Sequence, residues 1–557
     1  MYIRITAETL LIVFGTLLSI LLRACTNLHS YSGEASPPMY GDYEAQRHWM
    51  EITTNLPINQ WYHNTSDNDL NYWGLDYPPL SAYHMFICGK IAQYLNDNYT
   101  KLHDSRGYES ESHKLFMRYT VMVCDIFLYI PALIIYYQTC IGVKEIHESG
   151  AKKKKWKNQN NIKMSSSFCT ILGLLYPGII IVDHGHFQYN CVSLGFAIFS
   201  ITFLLKKYDV LASILFCFAL NYKQMELYHS LPFFLYLLSS CVPKPGQKSV
   251  WGFLKLFKIS AVVIITFCVI WLPFLYDFDD FIQVVHRQFP FARGVFEDKV
   301  SNVWCALNVI FKFKKTFDDY QMMRICLFTT FYALLPSSVD LFLRPNLKKF
   351  ILSQINSSLA FFLFSFQVHE KSILLVAVPV LLYFPYDPFT CFWFLCLSVF
   401  SMTPLLLKDG LTVAFMALML FYGVTFRVSI EHCYRNYLNN QDGLKEYYRS
   451  LLHSLLNIEY KKATQIGIIK ASLQQIRKNS DALKILIFHC VMVFSLIGCL
   501  ILFIISLLLE PPTKYPDLFP LAISVYSCIH FLGFFLYFNI KQLKIPQQFE
   551  DIRVKES

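Results

Sequence analysis

Charged residues are scarce in this sequence. Of its 557 residues, 16% are charged, whereas about 25% is typical of a soluble domain. Hydrophobic residues make up 54%, and a soluble fold could not bury so much apolar surface behind so few charges. At about 20 residues per membrane span, this content supplies roughly a dozen or more helices. The composition therefore excludes a soluble enzyme, a disordered protein and a DNA-binding domain, and we expect no nucleic-acid partner.

Several chemical motifs are also missing. The 17 cysteines form no CxxC pair and no spacing with histidine that suits a metal, so we interpret them as small core residues. The sequence has no evident cleavable signal peptide, so the first apolar run is expected to remain as a membrane anchor. It has no visible repeat, heptad pattern or nucleotide-binding loop. These absences leave a membrane protein without a recognisable metal or nucleotide site.

What the sequence does contain is a series of apolar runs that predicts an all-α polytopic membrane protein with about 14 transmembrane helices. The predicted spans begin near residues 5, 115, 168, 191, 209, 227, 257, 322, 350, 372, 389, 410, 484 and 518. We divide the chain into a membrane region at 1–426, an amphipathic connector at 427–484, and the last two helices with a tail at 485–557. The connector is either a plain solvated link or a partner-binding segment.

The charge of the connections predicts the orientation. Residues 139–167 hold 7 Lys/Arg and 2 Asp/Glu, and residues 427–484 hold 10 and 5, whereas residues 24–114 hold 5 and 11. Because cytosolic loops carry the excess of Lys and Arg, both termini and the connector are expected in the cytosol. The loops at 24–114 and 276–323 then lie on the opposite side. Glycosylation sequons at Asn64 and Asn98 in the first of these loops favour the same orientation.

The first of these loops opens with a dense group of titratable residues. Asp42, Glu44, Arg47 and His48 fall within seven residues, just after the first span. Asp42 could cap a helix beginning at Tyr43, and Glu44 could pair with Arg47 on one helix face. Polar groups at membrane level are costly, so a functional role is the alternative.

Four further strings are candidates for chemistry. Asp76 and Tyr77 lie among aromatic residues that suit a sugar platform, or an interfacial anchor with a turn. Residues 183–190 hold two histidines without further metal ligands nearby, which favours hydrogen bonding to a polar substrate. Arg293 lies among aromatics, which suits a lipid phosphate or an interfacial helix with snorkelling cations. Residues 369–371 place a His, a Glu and a Lys between two apolar runs, for which we favour a functional role.

Five strings together resemble one family. They are residues 41–49 (GDYEAQRHW), 73–79 (WGLDYPP), 105–110 (SRGYES), 291–294 (FARG) and 368–372 (VHEKS). They resemble the endoplasmic-reticulum dolichyl-phosphate-glucose glucosyltransferases of the lipid-linked oligosaccharide pathway. The resemblance runs from about residue 30 to the last span and is weakest at 140–165 and 427–484.

The resemblance implies a GT-C fold in the endoplasmic-reticulum membrane, with the active site at the lumenal face and no metal or other cofactor. It implies transfer of the first glucose from dolichyl phosphate β-D-glucose to the dolichyl-pyrophosphate Man(9)GlcNAc(2) glycan, in α-1,3 linkage with inversion. In the family, the Asp of the first lumenal loop is the proposed base, which corresponds to Asp42. The His of the last string is placed near the donor, which corresponds to His369.

Elementary chemistry agrees with these expectations. An inverting transfer needs one base for the acceptor hydroxyl and cations that stabilise the developing lipid phosphate. Asp42 suits the first task, and His369, Lys371 and Arg293 suit the second. Residues expected to contact the acceptor or to support the site are Glu44, Arg47, Asp76, Tyr77 and Glu370.

Two alternatives remain at this point. One is the sibling activity, addition of the second glucose, although the strings are more similar to the first-glucose member. The other is a lipid-glycan transporter, which is expected to show repeats and broken helices at mid-membrane. No repeat is visible here, and the polar strings cluster in long loops at one face.

Overall fold

The computed structural model describes residues 6–150, 164–243, 249–289, 299–438, 443–456 and 465–546. Within these ranges the regular structure is helical, without a strand. In chain order the α-helices are α1 (Ala7–Thr26), α2 (Asp42–Asn55), α3 (Pro79–Leu95), α4 (Glu111–Cys124), α5 (Ile130–Gly150), α6 (Ser166–Leu174), α7 (Pro177–Ile181), α8 (Asn190–Leu205), α9 (Asp209–Tyr222), α10 (Leu227–Cys241), α11 (Ser249–Trp271), α12 (Phe278–Gln288), α13 (Val303–Leu307), α14 (Phe313–Thr316), α15 (Asp319–Leu343), α16 (Leu347–Phe364), α17 (Ile373–Tyr383), α18 (Pro388–Ser401), α19 (Thr403–Lys408), α20 (Thr412–Leu438), α21 (Gly443–Leu456), α22 (Gln465–Leu508) and α23 (Leu518–Leu543).

The helices follow the apolar runs of the sequence. Each of the fourteen predicted span starts lies within an α-helix or within a few residues of one. Eight helical segments of the described chain are long and apolar enough to cross a membrane, and three further apolar helices, α8, α9 and α18, are shorter. The predicted all-α polytopic membrane protein is thereby confirmed, while the count of fourteen crossings stays a prediction.

The helices divide into central and peripheral ones. All eleven residues of α17 are buried, whereas α11 exposes large apolar side chains such as Phe253, Phe257 and Ile264. Exposed apolar surface of this extent is unfavourable in water but not against lipid chains. We therefore place α17 in the centre of the bundle and α11 on its lipid-facing rim.

The segment between α1 and α4 folds against one end of the bundle. Its helix α2 has twelve buried residues and contacts both α3 and the π-helical turn Val182–Phe187 that follows α7. The backbone N–H of Ser32 donates to the carbonyl of His186 over 3.0 Å. These contacts bring the start of α2 to the turn that holds residues 183–190.

The second predicted loop, residues 276–323, contains short helices. Its described part holds α12, α13 and α14, and α13 spans only five residues. The run at 302–311 holds only this short helix, which is far below the length of a membrane span. Arg293 lies outside the residues that the structure describes.

Candidate active site

Asp42 is the first residue of α2. The N-cap of this helix is Gly41, and no side chain caps it, so the expectation that Asp42 caps a helix beginning at Tyr43 is wrong. The physical reason is that the Asp42 carboxylate is occupied elsewhere. It faces the π-helical turn after α7 and the segment that precedes α17.

Three donors converge on one oxygen of this carboxylate. The Oδ2 atom of Asp42 lies 3.0 Å from Nε2 of His186 and also accepts hydrogen bonds from Gln188 Nε2 and Lys371 Nζ. Burial raises the pKa of Asp42, but the charges of Lys371 and His186 outweigh it and hold the pKa well below its usual range. Asp42 is therefore ionised at neutral pH, and its Oδ1 atom has no hydrogen-bond donor among the described residues.

His186 joins Asp42 to a second carboxylate. Its Nδ1 lies 2.5 Å from Oδ2 of Asp409, which follows α19 and whose side chain is 3% exposed. Burial and the charge of Lys371 lower the pKa of His186, but Asp42 and Asp409 raise it above its usual value, so the charged ring donates from both nitrogens. The Nε2 atom also lies 3.0 Å from Lys371 Nζ. Asp409 thus fixes the orientation of the imidazole ring that touches Asp42.

Gln188 extends the cluster in another direction. Its Oε1 accepts a hydrogen bond from Lys223 Nζ over 3.1 Å, and the same ammonium donates to Asn190 Oδ1 over 2.6 Å. Asn190 Nδ2 in turn donates to Asp183 Oδ1 over 2.8 Å. Asp42 and Asp183 are therefore linked by a continuous chain of polar side chains.

Glu44 and Arg47 lie on α2 but do not contact Asp42. Arg47 binds both oxygens of Glu44 at 2.7 Å, donates to Glu51 at 2.7 Å and to Ser105 at 2.5 Å. The Tyr72 hydroxyl donates to Glu44 over 2.8 Å. Both partners of the pair are almost completely buried. Glu44 and Arg47 thus neutralise each other within this network. Its bonds to Tyr72 and Ser105 hold the segments that follow α2 and α3 against α2.

Asp76 and Tyr77 lie where α3 begins. Pro78 is extended and Pro79 occupies the first helical position, which suits its fixed φ. The Asp76 carbonyl accepts from Gln224 Nε2 over 3.0 Å, and the Tyr77 ring lies 5.4 Å from Lys223 Nζ. The structure therefore brings this string next to the polar chain that reaches Asp42.

The last string lies between α16 and α17. His369 is exposed and precedes a 3₁₀ turn, Glu370–Ser372. Lys371 reaches Asp42, from which it is separated by 329 residues in the chain. His369 and Glu370 directly precede Lys371 in the chain, so they lie at the same end of the bundle as Asp42.

An apolar cavity adjoins the polar chain. It has a volume of about 350 Å³ and lies between α9, α11 and α12. Its wall includes Gln224, next in sequence to Lys223, and it is otherwise mainly apolar, with Leu220, Leu227, Phe267, Trp271, Phe281 and Val285. Such a cavity suits a hydrocarbon chain with a polar head group at its end.

The two histidines of the turn do not form a metal site. His184 Nε2 lies 2.6 Å from Asp125 Oδ2, whereas His186 faces Asp42 and Asp409. In the part of the chain that the structure describes, no group of three or more His, Cys, Asp and Glu side chains is placed to hold a metal ion.

Sequence reasoning did not select three residues of this cluster, namely Gln188, Lys223 and Asp409. Gln188 belongs to the string at 183–190, in which the two histidines are the more conspicuous residues. Lys223 and Asp409 each stand between two apolar helices, where a charged residue is costly and therefore marks function. That signal was available, but it does not say which partner each residue meets.

The fold and the site define a polytopic membrane protein whose ionised carboxylate, imidazole and ammonium groups meet at one end of the bundle. Comparison with other proteins gives the family. A sequence model of the ALG6, ALG8 glycosyltransferase family matches residues 14–537, so the chain belongs to this family. The family expected from the five strings is confirmed.

Its relatives are similar over almost their whole length. The dolichyl pyrophosphate Man9GlcNAc2 alpha-1,3-glucosyltransferase of Gallus gallus is 46% identical, covering 95% of this chain and 96% of the relative. The protein of the same name in Mus musculus is 44% identical over 94% and 95%. A probable enzyme of that name in Drosophila melanogaster is 42% identical over 95% and 98%.

Proposed function

We propose that this protein is an inverting glucosyltransferase that adds the first glucose, in α-1,3 linkage, to dolichyl-pyrophosphate Man9GlcNAc2. The glucose donor is dolichyl phosphate β-D-glucose. The observation that carries the proposal is similarity over 95% of the chain to an enzyme named for this acceptor. The cluster around Asp42 supplies groups suited to the reaction.

Asp42 acts as the general base. The acceptor hydroxyl gives its proton to Oδ1 of Asp42, and the oxygen forms the new bond to the anomeric carbon. The bond from that carbon to the phosphate oxygen breaks, and its electron pair leaves with dolichyl phosphate. His186 and Gln188 hold the other oxygen, Oδ2, so the carboxylate keeps one orientation. General-base assistance contributes about 10²- to 10⁴-fold to a rate.

Cations stabilise the departing phosphate. We assign this role to His369, Lys371 and Arg293, because imidazole, ammonium and guanidinium N–H groups all donate hydrogen bonds to phosphate oxygens. The contact of Lys371 with Asp42 supports this assignment. The isoprenoid chain of the donor is suited to the apolar cavity beside Gln224.

The reaction takes place at the lumenal face of the endoplasmic-reticulum membrane, and both termini face the cytosol. The acidic balance of residues 24–114 and the basic balance of residues 139–167 and 427–484 support this orientation. The donor and the acceptor are both lipid-linked, so a site at one end of the bundle meets both from the same leaflet.

A purified-protein assay tests the proposal and separates the two sibling activities. The full chain is given dolichyl phosphate glucose with an acceptor that carries no glucose or one glucose. We expect transfer to the glucose-free acceptor and an α-1,3-linked product. The Asp42→Asn protein, prepared in parallel, controls for contaminating activity. Transfer only to the glucose-bearing acceptor would assign the chain to the second step instead.

A further inference from the structure

Lys223 is the central member of the polar chain between Asp42 and Asp183. Its ammonium donates to Gln188 Oε1 over 3.1 Å and to Asn190 Oδ1 over 2.6 Å. Each amide is oriented by a carboxylate, because Gln188 Nε2 donates to Asp42 and Asn190 Nδ2 donates to Asp183. Both amide oxygens therefore face Lys223, which is held in one position by two neutral acceptors.

Two features of Lys223 suit it to bind an anion. An ammonium has three N–H donors, and the two amide oxygens use two of them. Within the described ranges of the chain, no carboxylate forms an ion pair with Lys223. Burying a cation that is not directly paired with an anion is costly. Burial and the charge of Lys371 lower the pKa of Lys223 to about 8, although the carboxylates of Asp183, Asp42 and Glu226 act in the opposite direction from beyond ion-pair distance. A bound anion would supply the compensating charge.

We propose that Lys223 binds the phosphate group of the lipid-linked donor through its third N–H. This assignment rests on the proposed function and adds a residue to its donor site. The Tyr77 ring, 5.4 Å from Nζ, forms one wall beside the ammonium. Gln188 separates this ammonium from Asp42.

The position of Lys223 suits the leaving-group side of an inverting reaction. In such a reaction the base and the departing phosphate lie on opposite sides of the anomeric carbon. Lys223 is separated from the base oxygen by one glutamine amide, so a phosphate at its ammonium lies near Asp42 without contacting it. The neighbouring Gln224 lines the apolar cavity, so a phosphate at Lys223 leaves the attached hydrocarbon chain next to that cavity.

The acceptor also carries phosphate, but that phosphate is remote from the reaction. Its pyrophosphate is attached to the lipid end of a glycan of nine mannoses and two N-acetylglucosamines, and the attacking hydroxyl lies on a mannose at the other end. A phosphate beside Asp42 is therefore the donor's. The two sources are distinguished by which substrate's kinetics respond to a change at Lys223.

Lys223→Met removes the charge, Lys223→Gln keeps a hydrogen-bond donor without the charge, and Lys223→Arg keeps the charge. Lys101→Met is the matched control, because Lys101 is exposed and pairs with Asp104 in the connection between α3 and α4. Each purified protein is assayed for the apparent KM of both substrates and for inhibition by dolichyl phosphate, with uncharged dolichol as the lipid control. Thermal unfolding in detergent checks that each variant is folded.

We expect Lys223→Met and Lys223→Gln to raise the donor KM and the inhibition constant of dolichyl phosphate together, by about 10- to 100-fold for one charged hydrogen bond. The acceptor KM and the effect of dolichol stay unchanged, and Lys223→Arg recovers part of the loss. Unchanged dolichyl phosphate inhibition in either neutral variant overturns the assignment, as does a loss confined to the acceptor KM. If one of the two neutral variants does not fold, the inhibition measured with the other variant decides the assignment. Absence of glucose transfer in the unaltered protein would refute the proposed function instead.

Discussion

The Nε2 atom of His186 lies 3.0 Å from the Oδ2 atom of Asp42, although the two residues are 144 positions apart in the chain. The opposite nitrogen of the same ring lies 2.5 Å from Asp409. This imidazole therefore links two carboxylates that lie far apart in the sequence. The arrangement fixes the Asp42 side chain through its Oδ2 atom.

The first prediction concerns Asp42 as the base. Asp42→Asn should lower the rate of glucose transfer by about 10²- to 10⁴-fold, because an amide of the same size cannot accept the hydroxyl proton. The apparent affinity for the donor should change little, since the phosphate contacts remain. Initial rates at saturating donor and acceptor provide the measurement. Helix capping does not complicate the result, because Asp42 does not cap α2. Transfer close to that of the unaltered protein would remove Asp42 as the base.

The second prediction concerns pH. Burial raises the pKa of Asp42, and the charges of Lys371 and His186 lower it further than burial raises it. The carboxylate thus stays ionised, and the base stays active, down to low pH. In Lys371→Met one of the two lowering charges is lost, so the pKa of Asp42 rises and the acidic limb of the activity profile moves to higher pH.

Profiles of kcat/KM against pH for the unaltered protein and Lys371→Met check this shift. Lys101→Met, which removes an exposed lysine between α3 and α4, should leave the limb in place. A lower plateau with an unmoved acidic limb would mean that Lys371 does not control the ionisation of Asp42.

The third prediction concerns His369. This exposed residue lies at the same end of the bundle as Asp42, two positions before Lys371. His369→Ala should weaken use of the donor, seen as a raised apparent KM for dolichyl phosphate glucose, or as a lower kcat if the contact forms only in the transition state. The acceptor KM should be unaffected. Normal donor kinetics in folded His369→Ala protein would remove this residue from the donor site.

The fourth prediction concerns the buried ion network of α2. Burial lowers the pKa of Arg47, but hydrogen bonds and charges from Glu44 and Glu51 raise it above its usual value, so the guanidinium is charged. Arg47→Met leaves both carboxylates buried without their partner, which costs about 3–5 kcal/mol. The thermal unfolding midpoint of the purified protein should fall clearly.

A matched control for Arg47 is Arg427. It forms an ion pair with Glu431, but its own side chain is largely exposed. Arg427→Met should cost at most about 1 kcal/mol and barely move the midpoint. Equal effects of the two substitutions would contradict a special contribution from the buried network.

The fifth prediction concerns orientation in the membrane. Asn64 and Asn98 are exposed and belong to sequons of residues 24–114. If this segment is lumenal, at least one of them can carry a glycan, and endoglycosidase treatment should increase the mobility of the protein on a gel. Asn64→Gln and Asn98→Gln identify the occupied site. Cleavage of the same segment by protease added to sealed microsomes would reverse the orientation.

Much of the fold was predictable because it depends on local properties of the chain. Apolar runs of sufficient length form helices in a membrane wherever they occur, and helices are found at the positions of all fourteen predicted spans. The string at 41–49 indicated a cluster of charges beside a span, which is costly unless it has a function, and the resemblance to the family pointed to Asp42 within it. The five strings also indicated the family that the comparisons establish.

The surroundings of Asp42 were decided by the tertiary structure. His186, Gln188 and Lys371 reach its carboxylate from 144, 146 and 329 residues away, and Lys223 and Asp409 join the cluster through them. Helical periodicity and the free energy of entering a membrane depend on residues that are close in the chain. The sequence by itself therefore determined the helices and the position of Asp42 just beyond the first span. The contacts depend on the order in which those helices pack and on how each is rotated, which no local pattern specifies. The packing therefore decided which cation, imidazole and amide meet the carboxylate.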